Sequence, residues 1–364
     1  MDNLRTTEAI WDQSKSMWRC RVKRNGEPRY FYSPTPGTKG KLESERKADA
    51  WLADVMSSDM AFDIAWDAFI EYRKAHASKD CFLKEESLGR LYVKPALKKK
   101  PLSRIVGQDW QNAVLMGADN DLSRRSCLNI RSTIASFVLH CEMQGITVCP
   151  PKRIMIPKSA PVGERHILQP PDLKTLFTSD TISRYGRNIP CHFIHAWRFL
   201  VMTGLRRGEL CGLQQSDLEG NALFLKRSIN AYNDETPGKT DAARRYVALS
   251  ARALDILDAQ KEMLKRRGII SPWLFPDEYG ECLEPNHLYR TWRTYRKQHG
   301  IKCTLHELRH TFVSLVKVDM PESLIRSMVG HVDSMDTFGV YAHRVDSDID
   351  RAAAIIDDVF SRLI

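Results

Sequence analysis

TGLRRGEL, residues 203–210, follows the apolar stretch CHFIHAWRFLVMTG (191–204), which reads as a helix ending at Gly204, a natural C-cap. Arg206 therefore stands just past a helix end, with Glu209 three residues on. Alone, such an arginine is as readily a surface residue at the N-terminus of the next helix. Its meaning comes from three stretches downstream. PGKTDAARR (237–245) places Lys239 at the tip of a hairpin, with strands at 222–226 and 244–249. HELRHTF (306–312) sets His306 and Arg309 three apart, on one helix face. VGHVDSMDTFGVYAHR (329–344) supplies His331 and then Tyr341. Each has a bland reading by itself, since a lone tyrosine is usually a core or interface residue.

Together, two arginines, a lysine, two histidines and a tyrosine are what phosphodiester exchange without a metal requires. Negative charge grows on the equatorial oxygens of an attacked phosphate. Two guanidiniums can clamp those oxygens bidentately, which ammonium groups do less well. A tyrosine nucleophile, with an unperturbed pKa of about 10, needs nearby cations and a histidine base. The departing ribose oxygen needs an acid, and Lys239 can reach in to supply it.

Two other motifs compete for these residues. HELRH formally matches H-E-x-x-H, which would make His306 and His310 zinc ligands and Glu307 a general base. Arg309, a fixed positive charge one position from a proposed ligand, works against that reading. No third histidine follows shortly downstream. TPGKT (236–240) resembles the tail of a phosphate-binding loop, but Asn233 stands where the first glycine belongs, and the setting is a hairpin rather than strand–loop–helix. A metal site and nucleotide hydrolysis are therefore not expected.

The rest of the chain suits a polyanionic partner. Its 364 residues carry 55 Lys plus Arg against 45 Asp plus Glu, a net +10. No apolar run reaches the ~18 residues of a membrane span. The first residues, MDNLRTTEAIWDQ, carry acids where a secretory signal would be basic and then apolar, so a cytoplasmic protein is expected, nucleoid-associated if its partner is DNA. The nine cysteines show no C-x-x-C spacing, which points to scattered reduced thiols. From Lys15 to Lys47 there are ten basic residues against three acids. In MWRCRVKRNGEPRYFY, Trp18, Cys20 and Val22 alternate with Arg19, Arg21 and Lys23, and Asn25-Gly26 is a strong hairpin turn. A helix with Ala48, Trp51, Leu52 and Val55 on one face follows. Arg19, Arg21, Lys23, Arg24 and Arg29 are the candidate DNA contacts of this first unit, with a solvated polar face as the alternative. The second unit opens on an amphipathic helix (Phe62, Ala65, Trp66, Phe69, Ile70), continues through KPALKKKPLSR with Lys98, Lys99 and Lys100, and adds a helix with Leu128, Ile134, Phe137, Val138 and Cys141 as its apolar set. A proline-rich linker comes next.

The four motifs, in this order within the last two hundred residues, resemble the tyrosine recombinase (phage integrase) family, and the layout of the whole chain resembles lambda-type integrases of prophages and integrative conjugative elements. The resemblance implies a multidomain, mainly α fold with small β-sheets: an arm-type DNA-binding sheet plus helix (1–57), a helical core-binding domain (58–150), a linker (151–166), a mixed α+β catalytic domain (167–346) and a tail helix (347–364). It implies that Tyr341 attacks the scissile phosphate to form a 3′-phosphotyrosine, that Arg206 and Arg309 bind the non-bridging oxygens, and that Lys239 protonates the leaving 5′ oxygen. His306 would assist proton transfer, His331 would bond the phosphate, and Glu209 would hold the site together from behind. No metal, ATP or other cofactor is implied. The implied partners are double-stranded DNA at core and arm attachment sites, a homotetramer on that DNA, an excisionase and a host DNA-bending protein, with no membrane. Ile349, Ile356 and Phe360 of the tail helix are expected to bury against a neighbouring protomer, with docking in cis on their own domain as the alternative. The competing functions are a type IB topoisomerase-like relaxing enzyme, which shares the catalytic set but needs no second DNA address, and an architectural DNA-binding protein with a silent site, against which the intact set of six residues argues.

Overall fold

A computed structural model describes residues 7–24, 27–58, 60–97, 100–236, 244–330 and 346–364. The chain divides into two compact units, one up to Gly163 and one from Glu164 onward.

The first unit opens with a three-stranded antiparallel sheet, β1 (Ile10–Asp12), β2 (Met17–Arg24) and β3 (Glu27–Ser33), followed by α1 (Gly37–Ser58). The alternation in β2 works as it reads. Cys20 and Val22 are buried in a small core with Ala9 and Ala48, and Trp18, Phe31 and Trp51 pack against it. Arg19 and Arg21 occupy the other face, with their guanidiniums 5.4 and 6.0 Å from the Tyr30 ring. Arg29 lies on the helix side, 5.1 Å from the Trp51 ring.

The helices that follow in this unit are α2 (Phe62–His76), α3 (Lys79–Leu88), α4 (Lys94–Leu97), α5 (Gly107–Asp119) and α6 (Arg124–Met143). Phe62, Ala65, Trp66, Phe69 and Ile70 of α2 are all buried. Phe62 and Trp66 meet Phe137 of α6 with ring centroids 5.1 and 5.2 Å apart. Each such burial contributes roughly 1.5–3 kcal/mol. On α6 the buried face is centred on Cys127, Ile130, Ile134, Phe137 and Cys141, and Leu128 and Val138 sit at its edges, half-buried. A helical turn links α3 to α4 at Gly89, where a Cβ would lie 2.2 Å from the Trp66 indole, so only glycine fits.

The proline-rich stretch read as a linker is fastened down over its first half. Ile154 and Ala160 join the helical core, the Trp110 Nε1–H donates to the Cys149 carbonyl (2.9 Å), and the Arg124 N–H donates to the Pro161 carbonyl (2.8 Å). Prolines need no ladder partner, so an extended strap can lie on a helical core with its few N–H and C=O groups satisfied locally.

The second unit comprises α7 (Pro170–Thr178), the hairpin β4 (Thr181–Arg184) and β5 (Arg187–Pro190), α8 (Ile194–Thr203), α9 (Arg207–Cys211), β6 (Leu218–Glu219), β7 (Ala222–Leu225), β8 (Ser228–Ile229), β9 (Glu235–Thr236), β10 (Arg245–Ala248), α10 (Ala251–Arg266), α11 (Pro285–Gln298), α12 (Glu307–Val316), α13 (Glu322–Val329) and α14 (Asp346–Ser361). Helix α8 is the axis of this unit. It is apolar nearly all round and packs on α10 and α12, with Trp197 5.1 Å from Trp292 and 5.0 Å from Tyr295 of α11. A sheet of three strands has the order β10-β7-β6, all antiparallel. The expected hairpin between 222 and 249 is longer than a simple turn, since β8 and β9 pair within it.

Helix α14 corrects an expectation. Its apolar stripe docks on its own unit: Ala352, Ile356, Val359 and Phe360 are buried in the common core, and Ile349 packs against it. Polar contacts secure the rim, with Asn221 Nδ2 donating to Asp350 (2.7 Å) and Arg362 to Asp319 (2.9 Å). An amphipathic stripe states only that a face is covered, not by which chain. Among the described residues, no helix is long and apolar enough to cross a membrane.

Gly204 ends α8 with φ +66°, its N–H bonded to the Leu200 carbonyl at 3.0 Å. A Cβ there would meet the Phe312 ring at 2.4 Å. Gly204→Ala combines a left-handed alanine with overpacking, so the second unit loses about 2–4 kcal/mol and melts several degrees lower. An unchanged melting curve would show that the α8–α12 contact yields more than this packing allows.

Candidate active site

Arg206 caps α9 from the extended region (φ −72°, ψ 149°), and its N–H donates to Glu209 Oε2 at 2.7 Å. Its guanidinium turns back on the same carboxylate, with Nη1 2.7 Å from Oε1. The G-E-L spacing thus folds the arginine over its own helix start. Glu209 is buried and meets a second arginine bidentately: Arg245 Nη1 and Nη2 each donate at 2.9 Å. Burial pushes the Glu209 carboxyl up, but the hydrogen bonds and charge of Arg245 and the Arg206 N–H outweigh it and bring the pKa down to about 2.

The three arginines converge on one helix end. Arg245 Nε donates to the Met328 carbonyl (2.6 Å), Arg309 Nη2 to that of Val329, and Arg206 Nη2 to that of Gly330 (3.0 Å). These are the carbonyls that the C-terminus of α13 leaves without helical partners. Gly330 closes that helix in the left-handed conformation (φ 66°). Arg309 is also buried and donates from Nη1 to the Gly204 carbonyl at 2.8 Å. Burial, and then the neighbouring Arg206, bring its pKa down to about 10. Among the described residues three guanidiniums stand against one carboxylate, an excess of positive charge suited to an anion.

His306 lies at the start of α12, its ring 4.9 Å from that of His310. Burial, then His310, Arg309 and Arg206, hold its pKa below the ordinary imidazole value, so it is neutral near pH 7. Glu307 is used structurally. Oε1 accepts from the His166 N–H (2.9 Å) and Oε2 from the Thr304 N–H (2.6 Å). The zinc-hydrolase reading thereby loses its general base to two backbone groups.

Of the six expected catalytic residues, Arg206, Arg309 and His306 belong to one cluster, with Glu209 behind the arginines, while Lys239, His331 and Tyr341 lie outside the described residues. Arg245 was missed. The signal was an arginine on the apolar phase of a strand, since Arg245 and Val247 are buried while Tyr246 is half-buried. Among the expected DNA contacts, Arg19 and Arg21 share an open face, although Arg19 is 3.5 Å from Asp12. Lys100 is bound to Asp109 at 2.7 Å, and that same carboxylate caps α5 through the Val106 N–H. Lys98 and Lys99, and the side chains of Lys23 and Arg24, lie outside the described residues.

Residues 173–347 match the model of the phage integrase family. This stretch is a phage integrase domain, the domain of site-specific tyrosine recombinases. Along most of its length the chain is similar to a XerC-like tyrosine recombinase of Caldanaerobacter subterraneus subsp. tengcongensis, 21% identical over 91% of both chains. The fold is similar to that of the Tn1549 transposon integrase solved with transposon right end DNA (TM-score 0.61, 18% identity, 81% of this chain and 98% of that one). It is also similar to that of lambda integrase solved as a tetramer on a Holliday junction (TM-score 0.58, 18% identity, 93% and 95%).

Replacing Glu209 with Gln leaves buried guanidiniums without their carboxylate, a change that typically costs about 3–5 kcal/mol. The wild-type carboxylate contributes stability above its ordinary pKa of 4.5 and loses it as pH falls toward about 2. Urea unfolding of the Glu209→Gln variant is therefore expected at markedly lower denaturant at pH 7, with a shallower acid dependence between pH 4.5 and 2 than the wild type shows. Parallel acid profiles would remove Glu209 as the linked group.

Proposed function

We propose that this recombinase integrates and excises a mobile element by way of a 3′-phosphotyrosine, using neither metal nor ATP. The observation that carries the reading is the fixing of Arg206 and Arg309 on adjacent carbonyls, Gly330 and Val329, at the point where the chain enters the segment with His331 and Tyr341. Two rigid forks so placed suit the non-bridging oxygens of one phosphodiester. Glu209 and Arg245 act behind them as positioning residues.

In the proposed cycle the Tyr341 oxygen attacks the scissile phosphorus and gives up its proton to a neighbouring base, for which neutral His306 is suited. The new bond is tyrosine O–P, and the bond that breaks is P–O5′. Lys239 protonates the leaving 5′ oxygen, and His331 bonds the phosphate. A 5′-hydroxyl from another strand then reverses the attack. One phosphoester replaces another at each step, so no energy source is needed. The working form we infer is a homotetramer on duplex DNA with core and arm sites, which agrees with the basic sheet face of Arg19 and Arg21 and with the assemblies solved for lambda integrase. An excisionase and a host DNA-bending protein complete the proposed set of partners, and the bacterial cytoplasm is the proposed location.

Covalent trapping tests the mechanism. A nicked duplex carrying the DNA that flanks the gene is incubated in EDTA and run on a denaturing gel. The wild type is expected to form an adduct that Tyr341→Phe abolishes. Arg309→Lys, which keeps the charge but not the fork, is expected to slow adduct formation by about a hundredfold. An adduct that survives Tyr341→Phe, or one that requires a divalent cation, would overturn the mechanism. Relaxation of supercoils without strand exchange would assign the chain to topoisomerase-like chemistry instead.

A further inference from the structure

The hairpin β4–β5 has features that the free protein does not explain. Its register pairs Arg184 directly with Arg187 around the two-residue loop Tyr185-Gly186. Both loop residues have positive φ, 51° and 72°, the signature of a type I′ turn. Asparagine, aspartate or glycine favours the first of these positions, and a bulky residue there is strained. Tyr185 is nevertheless there, and it is fully exposed. Like charges directly opposite on two strands are also unfavourable. A strained exposed aromatic between two opposed arginines makes sense when an anion with stacking surfaces arrives.

The hairpin is held beside α11. Ile182 is buried, and the Ser183 N–H donates to Gln298 Oε1 at 2.6 Å. Between them runs an open cleft of about 750 Å³ lined by Ser183, Arg290, Arg293, Thr294, Lys297 and Gln298, with no carboxylate among them. Arg290, Arg293 and Lys297 are spaced i, i+3, i+7 on one exposed face, and among the described residues none of them makes an ion pair. At its other end α11 lies against α9, where the Arg207 guanidinium is 5.8 Å from the Tyr289 ring. Three cations thus line about 10 Å of α11 up to the hairpin.

We propose that the β4–β5 tip is a further DNA-contacting element, in which Arg184 and Arg187 hold phosphates of the duplex beyond the scissile bond and Tyr185 packs on the sugar-phosphate edge, with the α11 cleft guiding the strand between. The inference rests on the recombinase reading above and adds to it a contact made by this hairpin.

The test uses the full chain and a random-sequence duplex of about thirty base pairs, with binding measured by anisotropy across a salt series. Losing two phosphate contacts flattens the slope of log K against log salt by about 1.8. The Arg184→Ala/Arg187→Ala double variant is expected to show that change and about tenfold weaker binding near 0.15 M salt. The Arg184→Lys/Arg187→Lys variant is expected to retain the slope. These side chains are exposed, so melting curves should be unaffected. If the wild type binds and the double alanine variant matches it in affinity and slope, the hairpin contact is wrong while the recombinase reading stands. If binding is unchanged but tetramer formation is lost, the hairpin is a protomer contact and the proposal is overturned. If the wild type itself does not bind duplex DNA, the recombinase reading falls and the hairpin contact falls with it.

Discussion

Three arginines donating to three consecutive carbonyls at the end of α13 form the constraint on which the site depends. A helix C-terminus concentrates partial negative charge on groups with no helical partner. Guanidiniums satisfy those groups, and the groups in turn fix the guanidiniums. Glu209 supplies a full negative charge, which lets two of the arginines approach each other. Positive charge is left over, held in place before any substrate arrives.

The fold makes this arrangement by bringing distant segments to one place. Arg206 follows α8, Arg245 opens β10, Arg309 rides on α12, and the accepting carbonyls end α13. Packing around α8 sets the distances: α12 lies against it, and Gly204 at its end both clears the Phe312 ring and offers its carbonyl to Arg309. The site is thus an outcome of core packing. Glu307 shows the same logic from the other side, since its carboxylate ties the segment entering the unit at His166 to the start of α12.

Much of this was legible in the sequence, for identifiable reasons. The α2 face was read residue for residue because five apolar positions at helical spacing allow one solution. The motif arginines and His306 were legible because their chemistry is rare and their spacing short. Arg245 was not, because its partner is thirty-six residues away and only a strand's burial phase marks it. The strap over the helical core looked like a free linker because prolines announce extension and say nothing about what the extended chain lies on. The docking of α14 on its own unit stood in the sequence only as the alternative to docking on a neighbour, since a stripe does not name its partner. The β4–β5 hairpin was passed over because Tyr185-Gly186 is an atypical turn pair.

The carbonyls of α13 come near the end of the chain, more than a hundred residues after Arg206. Until they emerge, Arg309 has no anchor in common with Arg206 and Arg245, which share Glu209, and repulsion from that pair opposes the geometry that would let the three work. A chain broken between α12 and α13 leaves the third arginine without the carbonyls that fix it beside the other two. A chain cut there would be inert rather than a stray nuclease, because a segment made after all three arginines is what assembles the site.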